Sequence, residues 1–421
     1  MKTHQILLAA LVCCLAVGAA AQTAYDHNAQ GVANYNAGRF DEAIMAFEKA
    51  YELAPGNGVV RLNLCNARQA AANKLAKVAD FAAAAEHLEL AIGIDPENAA
   101  PLVQLACYYM RLDMVYDAIF RLEEAVQLAP TNVTAHDLLG DAYYMDNDKA
   151  SALEQWQWVA EVQPARKNIH GKIAKAARQA AVESGFRPSG SRHFQISYDP
   201  AIPTRVVRQV RSILERAYVE VGRNFGNVQP PPPVQVIIYD RKGFADATMV
   251  GTHVGALYDG KIRIPLMDLE GRILEQQTLQ ERLYHEYTHV VVKFLTGAHT
   301  PWWLNEGLAE TFSREVGPER AALIERAIEG GLLFPLAALE GNQLSSLDPT
   351  ALQLAYAQSH ATVLHLWDRF GQHRLADLMA NLAEGMPAED ALYQNYRRTY
   401  DTLQKEVTRS FTQSRSRVVR K

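Results

Sequence analysis

Cysteine is scarce in this sequence, a basic excess is missing, and long apolar runs are missing too. Four cysteines occur in 421 residues. Cys13 and Cys14 fall in an N-terminal stretch read below as removable, which leaves Cys65 and Cys107. Two cysteines cannot build a disulfide framework, and two separate thiols are the expectation. Lys and Arg number 42 against 47 Asp and Glu, so the basic surface of a nucleic-acid binder is lacking. No apolar run reaches the roughly 20 residues of a bilayer span. The rest is ordinary: 48% hydrophobic and 21% charged residues exclude wholesale disorder, collagen and a coiled-coil rod. The length suggests two or three domains.

The first residues form a pattern of their own. Lys2 precedes an unbroken apolar and small-residue run, Ile6 to Ala21, which ends Ala19-Ala20-Ala21 before Gln22. This reads as a secretory signal peptide over 1–21, cut after Ala21. The mature chain is then expected to be exported, periplasmic or secreted from a bacterial envelope. No membrane span remains after cleavage.

From 24 to 165 the sequence repeats. Pro96, Pro130 and Pro164 are 34 residues apart, and Pro55 lies 41 before Pro96, an excess of two helical turns. Ala43, Phe47 and Ala50 recur as Ala84, Leu88 and Ala91, as Ala118, Leu122 and Ala125, and as Ala152, Trp156 and Val159. Small residues at fixed places let helices approach, large ones fill the gap, and Pro ends the second helix of each pair. These positions resemble the tetratricopeptide repeat. That resemblance implies an α-solenoid with a concave groove for a protein partner. Residues 22–184 are assigned to it, with 166–184 as a capping helix.

A breaker cluster at 183–192 marks the boundary, and a second domain is expected over 190–413, followed by a basic tail at 414–421. Strands are expected at 194–199 and 234–240, a helix at 204–226, and a hairpin over 252–266 turning at Asp259-Gly260. Beyond 270 the pattern is mostly helical.

The chemistry sits at 285–310. His285 and His289 are four apart on a segment with helical spacing, so both project from one face and can hold one metal. Glu286 stands beside them, placed to take a proton from a metal-activated water. Sixteen residues after His289 comes Glu306, in Trp303-Leu304-Asn305-Glu306-Gly307. Gly297 can end the first helix and Pro301 can begin another. A carboxylate there completes a three-ligand zinc site. Glu310, one turn on, is placed to accept a hydrogen bond from a liganding histidine.

Together these segments resemble the gluzincin metallopeptidases, and within them the peptidase MA-like domains. The resemblance implies an α+β domain with Zn2+ held by His285, His289 and Glu306, and Glu286 as general base. It also implies an edge strand that pairs with a bound peptide; the candidate is 253–258, with Gly255, Ala256 and Leu257 against substrate. The Gly-Ala-Met-Glu-Asn segment by which aminopeptidases hold an amino end is missing. Gly255-Ala256-Leu257 stands in a comparable place without the Glu, which favours an endopeptidase. A second electrophile is needed for the oxyanion. Tyr356 is the candidate on a downstream helix, with His360 its rival.

The sequence-level reading is thus an exported zinc-dependent peptidase whose repeats dock a substrate or partner protein. Two alternatives stand beside it: a repeat scaffold whose zinc site is vestigial or structural, and a metallohydrolase acting on a non-peptide amide.

Overall fold

The computed structural model describes residues 23–418 except 79, 251–254, 269, 298, 315 and 342–346, with side chains through 411. The expected signal peptide, 1–21, lies outside the described residues, as do His253 and Val254. Two compact units divide the chain, Met1–His170 and Gly171–Lys421.

The first unit is a run of helices: α1 (23–36), α2 (Phe40–Leu53), α3 (Gly58–Ala76), α4 (Phe81–Ile94), α5 (Ala99–Arg111), α6 (Val115–Leu128), α7 (Val133–Met145) and α8 (Lys149–Val162). Asn57, Asn98 and Asn132 cap α3, α5 and α7 by accepting backbone N–H groups, and Asp80 and Asp148 do the same for α4 and α8. The seven extra residues between Pro55 and Pro96 lie mainly in α3, which has 19 residues where α5 and α7 have 13.

Every small and large position of the repeat is buried. The sizes are matched across each helix pair. Gly31 faces Phe47 and Gly140 faces Trp156, so closely that a Cβ at either glycine would collide with the ring. Where the large residue is Leu88 or Leu122, the small residue is Ala72 or Ala106, each in the same core cluster as its leucine. A polar ladder joins successive pairs: Glu48 accepts from Arg68, Glu89 from Tyr109 and Glu123 from Tyr143, each partner 20 residues on. The unit is the expected α-solenoid.

The second unit is α+β. Helix α9 (Ile169–Glu183) leads into strands β1 (Arg187–Gly190) and β2 (Phe194–Tyr198), then α10 (Thr204–Arg223), β3 (Val234–Tyr239), α11 (Arg241–Thr248), β4 (Leu257–Tyr258) and β5 (Ile262–Pro265). The sheet order is β1-β2-β3-β5-β4. Strands β2, β3 and β5 run parallel; β1 and β4 are antiparallel edges. Phe194, Ile196, Val236 and Ile238 face the core with α10, while Ile237 and Tyr239 pack on Phe244 and Ala247 of α11. Strand β3 is covered on both faces, which explains its unbroken apolar run.

Three boundaries differ from the sequence reading. The helix expected to cap the repeats is α9, and almost all of it falls in the second unit. The breaker cluster contains β1, because an edge strand tolerates Pro188 and Gly190. Among the described residues, the edge strand expected over 253–258 is formed by Leu257–Tyr258. Its register would bring Gly255 opposite Pro265, which has no N–H to give.

The rest is helical: α12 (Gln276–Thr296), α13 (Trp302–Ser313), α14 (Pro318–Glu329), a 3-10 turn (Leu336–Leu339), α15 (Pro349–Phe370), α16 (Gln372–Ala383), α17 (Ala388–Tyr396) and α18 (Tyr400–Val418). The last helix takes in part of the stretch read as a basic tail. Among the described residues, no helix is long and apolar enough to cross a membrane.

Candidate metal centre

Helix α12 contains no glycine or proline and ends at Gly297, whose φ of 63° is a left-handed conformation that a glycine adopts without strain. The chain turns, and α13 begins after Pro301. The Tyr284 hydroxyl donates to Glu220 of α10 at 2.6 Å, and Tyr287 packs on Phe194 and Tyr218. With these residues committed to the core, the opposite face of α12 presents His285 and His289 toward α13.

Three ligand atoms meet there. His285 Nε2 and His289 Nε2 lie 3.1 Å apart, and Glu306 Oε2 lies 3.4 Å from the first and 3.5 Å from the second. Glu306 Oε2 is buried without a hydrogen-bond partner, so these are contacts of a convergent donor set rather than a closed network. Two imidazole nitrogens and a carboxylate oxygen in a triangle of this size fit one metal ion. Bonds of about 2.0–2.1 Å in a tetrahedron place ligand atoms about 3.4 Å apart. Burial works against a charged His289, yet Glu306 outweighs it and holds the imidazole at about 9. The Glu306 carboxyl is held far below its usual range, burial notwithstanding, by His289 and His285.

Around the triad the sequence-derived residues fall as follows. Glu286 is buried beside it, and burial raises its carboxyl above the usual range. Glu310 Oε1 sits 3.7 Å from His285 Nδ1, beyond hydrogen-bond reach, because Arg320 and Arg314 claim the other carboxylate oxygen. His289 Nδ1 instead has Asn305 Oδ1 at 3.0 Å, a contact in which the ring N–H donates and Nε2 keeps its lone pair for a metal. Sequence reasoning gave Asn305 no role. The signal was its place one residue before Glu306 on a helix facing α12.

Tyr356 of α15 packs edge-on against Trp302, with ring centroids 5.1 Å apart. Burial, then the carboxylates of Glu306, Glu310 and Glu286, push its phenol up, so it stays protonated and able to donate. His360, one turn on, is buried and neutral, lowered to about 4 chiefly by burial; its charged neighbours are Glu310, Arg320 and Arg314. The carboxylates that act on Tyr356 include Glu306 and Glu286, and those acting on His360 do not. Gly255, Ala256 and Leu257 lead into β4 at the sheet edge, and the Gly255 carbonyl accepts from Arg282 of α12 at 3.1 Å. Cys65 and Cys107 are free thiols.

Residues 217–412 match the Peptidase MA superfamily, and residues 24–57 match the tetratricopeptide repeat. Among curated proteins none matches the chain. Similar solved structures include MamA, 22% identical over 37% of this chain and 81% of that one, with a TM-score of 0.31. They also include pilF of Pseudomonas aeruginosa, 18% identical over 39% of this chain and 72% of that one, at 0.29. A third is the first TPR of Spaghetti (RPAP3) bound to an HSP90 peptide, 22% identical over 30% of this chain and 93% of that one, at 0.23. Residues 217–412 are a Peptidase MA superfamily domain, carried in one chain with tetratricopeptide repeats.

Proposed function

We propose that this chain is an exported zinc-dependent endopeptidase whose repeats dock a substrate or partner protein. The observation that carries the reading is the buried convergence of His285, His289 and Glu306 with Glu286 beside them. Two imidazoles and one carboxylate, leaving a fourth position, are the donor set of a catalytic rather than a structural zinc site. Zinc held there would polarise the scissile carbonyl and lower the pKa of a water to about 7.

The chain's own residues supply the remaining chemistry. Glu286 takes the proton of the attacking water and passes it to the leaving amine. A carboxylate in an apolar setting is a stronger base than one in water. The Tyr356 hydroxyl donates to the carbonyl oxygen as it gains charge. Gly255, Ala256 and Leu257, at the edge next to α12, offer backbone groups to an extended peptide. No Glu there holds a free amino end, which supports internal cleavage. Export rests on the signal-like sequence of 1–21. A scaffold with a structural metal would have no use for a buried carboxylate at 286.

The test uses purified protein lacking 1–21. It should hold about one zinc per chain and cleave an unfolded protein, and a chelator should stop the cleavage. Bound zinc with no cleavage of any polypeptide would overturn the reading.

A further inference from the structure

Several arginines of this unit are matched with acids. Arg263, with no exposed side-chain surface, meets Glu183 at 2.9 Å and Asp259 at 3.0 Å. Arg314 and Arg320 converge on Glu310. Arg282 is not matched in this way. It is half-buried, and among the described residues no carboxylate oxygen lies within 4.0 Å of it. One of its five N–H groups goes to the Gly255 carbonyl.

Its place is specific. Arg282 lies on α12 one turn before Glu286 and His285, so it stands on the helix that carries the metal ligands. The carbonyl it holds belongs to the segment leading into the edge strand. A Cβ on Gly255 would lie 3.2 Å from the guanidinium carbon, so the loop runs against the cation. The guanidinium therefore fills the angle between the metal helix and the sheet edge.

We propose that Arg282 binds a carboxylate of the peptide substrate next to the metal centre. This rests on the peptidase reading given above. A partly desolvated cation with no anion in contact costs stability, and here like charges add to the cost. Burial, then Arg241 and Arg314, make Arg282 a weaker base than an ordinary arginine, and the Glu286 carboxylate offsets this only in part. An incoming carboxylate offsets all three effects and can meet the planar guanidinium with two parallel hydrogen bonds. The carboxylate comes from an Asp or Glu side chain near the scissile bond, or from the C-terminus of a short substrate; the chemistry at Arg282 is the same.

The experiment reads binding rather than turnover. Zinc-loaded Glu286→Gln protein is titrated with labelled ten-residue peptides that carry Glu or Gln at each position in turn, ending in a free carboxylate or an amide. A Glu peptide should bind at least tenfold more tightly than its Gln twin if the source is a side chain. Amidation should cost at least tenfold if the source is the C-terminus. Adding Arg282→Gln should remove that difference while leaving the neutral peptide's affinity in place, and Arg282→Lys, which keeps the charge on a fold-preserving side chain, should retain part of it. Equal binding of charged and neutral peptides overturns the proposal, as does an Arg282→Gln variant that weakens both alike, for then the residue only holds Gly255. If the wild type cleaves peptides without regard to charge, the peptidase reading stands and this one falls. If it neither binds nor cleaves any, both fall.

Discussion

Gly307 meets the backbone of α15 at Ser359: a Cβ at 307 would fall 2.5 Å from the Ser359 carbonyl oxygen and 2.5 Å from Val363 Cγ2. The glycine follows Glu306 directly. Its missing side chain lets α13 and α15 touch, which brings Tyr356 within the influence of Glu306 and Glu286.

Gly307→Ala should therefore destabilise the domain. Overpacking costs about 1–3 kcal/mol. The obstacle here includes backbone, which cannot rotate away, so the upper end applies. Thermal melts of the zinc-free and zinc-loaded protein should both fall by several degrees, and zinc affinity should drop as Glu306 shifts. A melt equal to that of the wild type would show that the helices separate at no cost.

Asn305→Ala should weaken metal binding by about 10–100-fold, the usual effect of removing the partner that orients a liganding histidine. A chromophoric chelator in competition measures it. Glu310→Gln should act less on the metal, since its carboxylate stands 3.7 Å from His285 Nδ1 and is engaged by Arg314 and Arg320. The opposite ranking would return Glu310 to the role that sequence spacing gives it.

How much of this was legible in the sequence depends on the kind of order involved. The solenoid repeats every 34 residues, so its packing is printed several times over, and Gly31 with Phe47 and Gly140 with Trp156 follow from it. The triad was legible because His285, His289 and Glu306 have fixed spacings on helices whose ends are marked by Gly297 and Pro301. Helix α11 and strand β1 were not. Eight and four residues carry little periodicity, and β1 exists only because β2 offers it an edge. The Arg263 network was equally hidden. It joins α9, β3, β5 and the hairpin turn over sequence separations of up to 84 residues, with no local signature.

That network gives a pH dependence. Burial pushes the Asp259 carboxyl up, but Arg263 and Lys175 outweigh it and hold it below the usual range. The folded-state pKa is thus lower than the unfolded value of about 3.9. Ionised Asp259 contributes stability above that unfolded value and loses it as pH falls through the folded one. Asp259→Asn should cost about 2 kcal/mol at pH 7. The gap in melting temperature between variant and wild type should narrow only at acid pH, below about 4. A gap that narrows near neutrality would place the dependence on another group.

Tyr356→Phe keeps the ring against Trp302 and removes only the hydroxyl. Loss of a donor aimed at a developing oxyanion costs about 3 kcal/mol, or about 10²-fold in kcat. Zinc content, melting temperature and KM should stay put. An unchanged kcat would leave Tyr356 as a packing residue and turn attention to His360.

The central claim is that Glu286 is the general base of a zinc peptidase, and Glu286→Gln tests it most directly. The amide is nearly isosteric and cannot accept the water's proton. Wild type and variant, each carrying one zinc per chain and melting alike, are compared on the same unfolded protein. The account predicts that the variant keeps its metal and loses at least about 10²–10⁴-fold in cleavage rate. Cleavage by the variant at the wild-type rate would contradict it.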